Sequence, residues 1–466
     1  MSGVLAGDVV AALGDLTQRP GPAGCISETG AGPCADGTAL ATAFAVTVSP
    51  DGRSAYVASA AANAVVVFDR AADGSLTQKG CVSETGAGPC ADGAALNQPI
   101  SVAVSPDGRS AYVASNASDA VAVFERAADG SLTQKPGAAA CVSETGVPPC
   151  ADGTGLDGAH SVTVSPDGSS VYVASDASDA VAVFVRAADG TLTQKPGTAA
   201  CVSETGAPPC ADVAAIDGAA SVAVSPDGTS AYVASSVSGA VAAFDRAADG
   251  TLTQKPGTAG CASEAGAAPC AGGTGLANAS SVTVSPDGRS AYVASSGSDA
   301  VAVFDRAADG GLAQRPGAAG CVSETGAGPC AEGTGLDGAS AVAVSPDGRS
   351  AYVASSGSDA VAVFDRAVDG GLAQRPGEAG CVSETGAGPC ADGTALDGAS
   401  AVTVSPDARS VYVASAVASA VALLDRDLAP VPQAPAPAPP RPSSAAPLPL
   451  ACSGRSIVLL DVRRSG

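Results

Sequence analysis

Between Ser281 and Arg315 the chain alternates apolar and polar residues in four short runs, each closed by residues that favour turns. Ser281-Val-Thr-Val-Ser285 has the period of two expected of a strand, and Pro286-Asp287-Gly288 then supplies a tight turn. Ala291-Tyr-Val-Ala-Ser295 forms a second run, Ala300-Val-Ala-Val-Phe-Asp-Arg306 a third and Leu312-Ala-Gln-Arg315 a fourth, with Ser296 to Asp299 and Ala308 to Gly310 between them. The same unit recurs around Pro50, Pro106, Pro166, Pro226, Pro286, Pro346 and Pro406, at a step of 60 residues from the second copy onward. Self-similarity of this kind marks an array of one supersecondary unit. Four hairpin-linked strands repeated seven times predict an all-β fold, a seven-bladed β-propeller of four-stranded antiparallel blades, because closing a ring hides most sheet edges.

The ends of the array are complementary. Leu16-Thr-Gln-Arg19 reads as a fourth strand without its first three, and the last copy, Ala401 to Arg426, has no fourth. The N-terminal strand is therefore expected to complete the last blade. The first blade is shorter, since Lys79-Gly80-Cys81 lacks four residues present between Lys135 and Cys141. The propeller is expected over residues 14–428, a Pro/Ala-rich linker over 429–450, and the start of a further, incomplete domain over 451–466, where Cys452 stands alone.

Fourteen of the fifteen cysteines fall in pairs of one spacing, Cys25/Cys34, Cys81/Cys90, Cys141/Cys150, Cys201/Cys210, Cys261/Cys270, Cys321/Cys330 and Cys381/Cys390. Structural zinc wants four Cys or His ligands at shorter spacings, and the chain has one His, so one local disulfide per repeat is expected. Each pair is expected in a long loop that joins a fourth strand to the next first strand. Bridges of this kind imply an oxidising compartment and a secreted or cell-surface protein. Met1 to Leu16 shows neither a basic leader nor a sustained apolar run, so either the natural start lies upstream or the cysteines stay reduced in a cytoplasm.

The cysteine loops and the turns between second and third strands should emerge on one face, with Asp119, Asp179, Asp299 and Asp359 among them. That acidic face is where a protein or small-molecule ligand is expected. A formal net charge of −23 opposes nucleic acids and anionic membrane surfaces, and no apolar run is long enough to span a bilayer. A monomer is expected. Aromatic residues make up only 3% of the chain and Trp is absent, so the core must be built from Val, Ala and the repeated Tyr and Phe.

Val342 to Ser355, VAVSPDGRSAYVAS, and Val121 to Gln134, VAVFERAADGSLTQ, resemble the YVTN-repeat and lactonase families of seven-bladed propellers, with their 6-phosphogluconolactonase-like and carboxymuconate-cyclase-like members. The resemblance implies a channel His four residues before the Ser of Ser-Pro-Asp-Gly. Here those positions hold Ala45, Ser101, Ser161, Ser221, Ser281, Ala341 and Ala401. The only His, His160, lies one residue earlier, and strict alternation would turn it to the other face. His160 and Ser161 remain the catalytic candidates. Glu144, Asp152 and Asp157 could offer oxygen ligands to calcium, although their spacing matches no established calcium loop and no cofactor is otherwise expected. The Asp of each Ser-Pro-Asp-Gly, such as Asp107, is expected to be a turn residue, and Asp305 and Arg306 to form cross-strand pairs. With the family His replaced throughout, the expectation is a non-catalytic binding or structural scaffold. The alternative is a lactonase-like hydrolase acting on a small lactone in the central channel.

Overall fold

In the computed structural model the chain divides into Met1–Leu428 and Ala429–Gly466. The structure describes residues 14–428 apart from 31, 87, 327 and 387, so the expected linker, tail and Cys452 lie outside the described residues. Within them, seven twisted sheets form the blades of a propeller. In the fifth blade the inner strand Ala279–Val284 pairs with Ser290–Ser295, which pairs with Ala300–Arg306 in an unbroken antiparallel register from Ser290↔Asp305 to Ser295↔Ala300. The core lies between blades. Tyr292, Ala294, Val301 and Val303 of the fifth blade pack on Val342, Ala351, Val353 and Phe364 of the sixth. Small Ala and Val side chains let neighbouring sheets approach closely, and the seven tyrosines, all fully buried, supply most of the bulk.

The outer part of each blade differs from the expected single strand. In six blades the outer strand is split: Leu312–Gln314 pairs with Phe304 to Arg306, Gly317–Ala319 loops out as a 3-10 turn, and Cys321–Ser323 returns to pair with Ala300 to Ala302. The first blade lacks the four looping residues, and its outer strand runs without a break from Leu76 to Ser83 with one bulge at Val67/Phe68.

The disulfides form as expected, one per repeat, but they do not sit wholly in a loop. The bridges are Cys25–Cys34, Cys81–Cys90, Cys141–Cys150, Cys201–Cys210, Cys261–Cys270, Cys321–Cys330 and Cys381–Cys390. The first cysteine of each pair belongs to the outer strand, because the chain that follows the fourth strand rejoins the same sheet. The second, at Cys34, Cys90, Cys150, Cys210, Cys270, Cys330 and Cys390, ends a turn and directly precedes a two-residue fifth strand. In the fifth blade that strand is Ala331–Glu332, parallel to Cys321–Ser323. Each bridge thus ties the fifth strand to the outer strand it pairs with. In the chain-entropy model a closed loop of about ten residues contributes roughly 2–3 kcal/mol.

Closure uses the N-terminal segment. Leu16–Gln18 pairs with Leu424 to Arg426 and Cys25–Ser27 with Ala420 to Ala422, so the seventh blade takes its outer strand from the start of the chain.

A clasp holds each blade to the next on the turn face, the side of the Ser-Pro-Asp-Gly turns. Arg246 ends the third strand of the fourth blade; its Nε donates to Tyr172 Oη (2.7 Å), one Nη to the Gly228 carbonyl (3.0 Å) and the other to Asp167 of the third blade (3.1 Å). Tyr172 Oη in turn donates to the Gly250 carbonyl (2.7 Å), so the buried phenol is satisfied on both sides. Arg306 follows the same rule. It reaches back to Asp227 (2.9 Å), while Asp305 pairs across its own sheet with Arg315 (2.8 Å), so only half of the expected Asp305/Arg306 pairing is cross-strand within a blade.

The clasp predicts a pH-dependent stability. Burial pushes the Asp167 carboxyl up, but the Ser165 hydroxyl, the Ser169 N–H and hydroxyl, and Arg246 outweigh it and hold Asp167 well below the usual carboxylate range. A depressed acid contributes stability that is present above its unfolded value, about 4, and is lost as pH falls through the folded value. Arg246→Met is expected to cost about 2–4 kcal/mol at neutral pH, less than for a fully enclosed pair because the Asp167 side chain remains 48% exposed. In denaturant titrations the gap between parent and variant should narrow as pH is lowered below about 4, down to the part contributed by the Tyr172 and Gly228 hydrogen bonds. Equal stability at pH 7 would refute the role of the clasp.

Candidate functional site

All seven inner strands carry an irregularity at the same place. In the third blade Ala159 pairs with Ser175 and Ser161 with Ala174, leaving His160 as the extra residue of a β-bulge. The other blades repeat the shift at Phe44, Ile100, Ala220, Ser280, Ser340 and Ser400. A bulge breaks the period of two, so the expectation that His160 turns away from the channel fails. Two contacts show where it points. His160 Nδ1 lies 2.8 Å from the Ala220 carbonyl, the bulge residue of the next blade, and its ring meets Phe44 edge-on at 6.3 Å, although Phe44 belongs to the first blade and His160 to the third. Only the central channel brings those blades together.

A carbonyl can only accept, so Nδ1 carries the hydrogen of the neutral ring, and Nε2 keeps its lone pair. The channel is chemically lopsided at this level. Ser280 and Ser400 direct their hydroxyls to main-chain carbonyls, Ser280 to Ser340 (3.0 Å) and Ser400 to Phe44 (2.9 Å), whereas the first three blades offer Phe44, Ile100 and His160. One residue deeper, the N–H of Val162 donates to Ser101 Oγ (3.2 Å) and that of Val282 to Ser221 Oγ (3.2 Å), each on the preceding blade. The corresponding neighbours of Val402, Val46 and Val102 are Ala341, Ala401 and Ala45, which have no hydroxyl to offer. Main-chain donors, an apolar wall and an imidazole thus meet on one side of the channel.

Ser161 pairs with Ala174 directly beside the bulge. The three calcium candidates are not gathered. Glu144 accepts the Leu156 N–H (2.6 Å) and so pins the cysteine loop, Asp152 lies in the short fifth strand, and Asp157 faces Asp119 across the blade junction, where Gly158 N donates to Asp119 Oδ1 (2.9 Å). Among the described residues no group of three or more His, Cys, Asp or Glu is placed to hold a metal ion. A groove of about 920 Å³ opens on the turn face instead, but most of its charges are engaged in ion pairs, Lys79 with Asp69 and Asp129 (both 3.3 Å) and Arg70 with Asp407 (3.0 Å), and it holds no residue of the bulge ring.

His160 stood out in the sequence only as a lone histidine. A second signal is positional: within inner strands whose other residues scarcely vary, this position takes Phe, Ile, His, Ala and Ser.

Comparison with known proteins identifies the family and the fold. The family described as "Lactonase, 7-bladed beta-propeller" matches residues 90–322, half of the chain. Among solved structures, the periplasmic gluconolactonase of Pseudomonas aeruginosa is similar at 24% identity and a TM-score of 0.52, over 74% of this chain and 86% of that one. A Lactobacillus plantarum protein is similar at 20% identity and a TM-score of 0.51, over 71% and 83%. These likenesses establish the fold. No curated protein matches the chain. The seven disulfides suggest an extracellular or periplasmic environment. The family match overturns the expectation of a non-catalytic scaffold, which rested on the replaced family His, and favours the lactonase-type alternative. The chain belongs to the seven-bladed β-propeller lactonase family.

Proposed function

We propose that this protein is a lactone hydrolase whose reaction takes place in the central channel, outside the cytoplasm, on a protein that is secreted or displayed at the cell surface. The observation that carries the reading is His160 on its bulge, with Nδ1 committed to the Ala220 carbonyl, which leaves Nε2 as the basic nitrogen of a ring turned toward the channel. In this role Nε2 accepts a proton from water as the water oxygen bonds to the lactone carbonyl carbon. The carbonyl π electrons move to its oxygen, where main-chain N–H groups of the inner strands, Val46 and Val102 foremost, can stabilise the oxyanion. Collapse of that intermediate breaks the ring C–O bond, and the imidazolium returns its proton to the departing alkoxide, giving an open hydroxy acid. Phe44 and Ile100 supply a wall for the ring carbons.

Acid release from five- and six-membered sugar lactones, followed at constant pH, tests the reading. Purified protein should show saturable turnover well above the spontaneous rate. Rates indistinguishable from spontaneous hydrolysis across both ring sizes would refute it.

A further inference from the structure

The two mouths of the channel differ in charge. Among the described residues, every Lys and Arg lies on the turn face or the outer strands, in the turns after Ser-Pro-Asp-Gly, at the ends of the third strands or beside the outer-strand Gln. None falls between Cys81 and Ser105, nor in the corresponding segment of any other repeat, nor in any turn between second and third strands. The loop face carries carboxylates alone. At four blade junctions they come in pairs, Asp119 with Asp157, Asp179 with Asp217, Asp299 with Asp337 and Asp359 with Asp397. One member of each pair is fixed by a main-chain N–H next to the inner strand, as Asp119 is by Gly158 (2.9 Å), Asp179 by Gly218 (2.8 Å), Asp299 by Gly338 (2.9 Å) and Asp359 by Gly398 (2.8 Å). Asp176 Oδ1 adds a further carboxylate at the mouth, 3.4 Å from Asn116 of the preceding blade.

His160 sits at this mouth. The inner strand Ala159–Val164 runs from the loop face to the turn face, and His160 is its second residue, so the imidazole lies about 3 Å along the strand from the acidic end and about 13 Å from the other. A substrate approaching His160 by the shorter route meets Asp157, three residues before it, and the partners of Asp157.

Resting on the lactonase reading, we infer that the channel selects uncharged lactones and excludes lactones bearing a phosphate or carboxylate. A phosphate ester brings a charge of about −1.5 to −2 into a mouth of fixed negative charge that has no guanidinium or ammonium group to receive it, and charge of one sign around a cleft repels a like-charged ligand. The crowding is already felt in the free protein. Burial and then the neighbouring Asp119 and Asp176 raise the Asp157 carboxyl above its ordinary value, and Asp217, Asp337 and Asp397 are raised in the same way, by burial and by Asp179, Asp299 and Asp359.

The test compares two ligands that differ by one phosphate group, the lactam analogue of gluconolactone and its 6-phosphate, by calorimetric titration at low ionic strength, with hydrolysis of the two lactones measured in parallel; the salt dependence separates charge from bulk. The neutral lactam should bind at least tenfold more tightly, and the gap should narrow as salt is raised. The triple variant Asp217→Asn, Asp337→Asn, Asp397→Asn, which leaves Asp119 and Asp157 beside His160 in place, should bind the phosphorylated lactam at least threefold better and the neutral one within twofold of the parent. Equal or tighter binding of the phosphorylated lactam by the parent, or binding of neither, overturns the inference. Neutral binding without hydrolysis of either lactone supports the charge selection and sinks the hydrolase instead.

Discussion

A chain deleted through Arg19 is expected to melt about 5–10 °C lower than the full chain and to associate. The deletion removes half of the seventh blade's outer strand, Leu16–Gln18, and with it the ladder to Leu424, Asp425 and Arg426. It also removes contacts that reach other blades. Gly14 supplies the carbonyl that Tyr352 Oη donates to (3.1 Å), the position filled at other interfaces by Gly130 or Gly190 of the following blade. Gln18 bridges both main-chain groups of Thr394 (2.7 and 2.8 Å), and Arg19 pairs with Asp425 (2.7 Å). At roughly 0.5–1.5 kcal/mol net for each hydrogen bond lost, the total is on the order of 5 kcal/mol. In a domain this large each kcal/mol moves Tm by about 2 °C or less. The other half, Cys25–Ser27, stays paired and keeps its disulfide to Cys34, so the ring should close imperfectly rather than unfold. The bared edge from Leu424 to Arg426 then templates pairing with a second chain. Scanning calorimetry and sedimentation measure the two effects, and a synthetic peptide spanning residues 14–24 should reverse both. An unchanged Tm in a monodisperse variant would show that the N-terminal strand contributes nothing to closure.

Most of this architecture was legible because the repeat carries it seven times over. Third strands such as Ala300–Arg306, the blade count, the Cys pairs and the complementary ends all follow from alternation and spacing. What alternation could not carry is any place where the ladder gains or loses a residue. The split outer strand is one: the residues between Lys135 and Cys141 look like the start of a loop, yet the chain comes back to the same sheet, and the gap in the first blade at Lys79-Gly80-Cys81 was the only hint. The bulge beside His160 is another. One extra residue inverts the facing of everything on its far side, so strict alternation puts the channel residue His160 on the wrong face. Contacts between blades form a third class. Arg306 finds Asp227 at 79 positions' separation, and nothing local distinguishes that partner from the adjacent Asp305.

Replacing His160 should abolish turnover without loosening the fold. His160→Ala removes the base that accepts the proton of water, and a positioned general base contributes typically 10²–10⁴-fold, equivalent to about 3–5.5 kcal/mol of the barrier. The side chain is partly exposed in the channel and has one hydrogen bond and one ring contact, so Tm should stay within about 2 °C of the parent. His160→Gln separates chemistry from positioning. Its amide N–H can still donate to the Ala220 carbonyl, but it has no basic nitrogen, so it should be as inactive as the alanine variant. Added imidazole should restore part of the rate to His160→Ala, where a space is left, and little to His160→Gln. Ser161→Ala, beside the bulge rather than on it, should change kcat/KM by less than about tenfold, because a neighbour that holds no reacting proton acts only through packing. Full activity in His160→Gln would move the base to another residue of the channel. Loss of activity in Ser161→Ala with His160→Gln unaffected would return the chemistry to the position where the family carries its histidine.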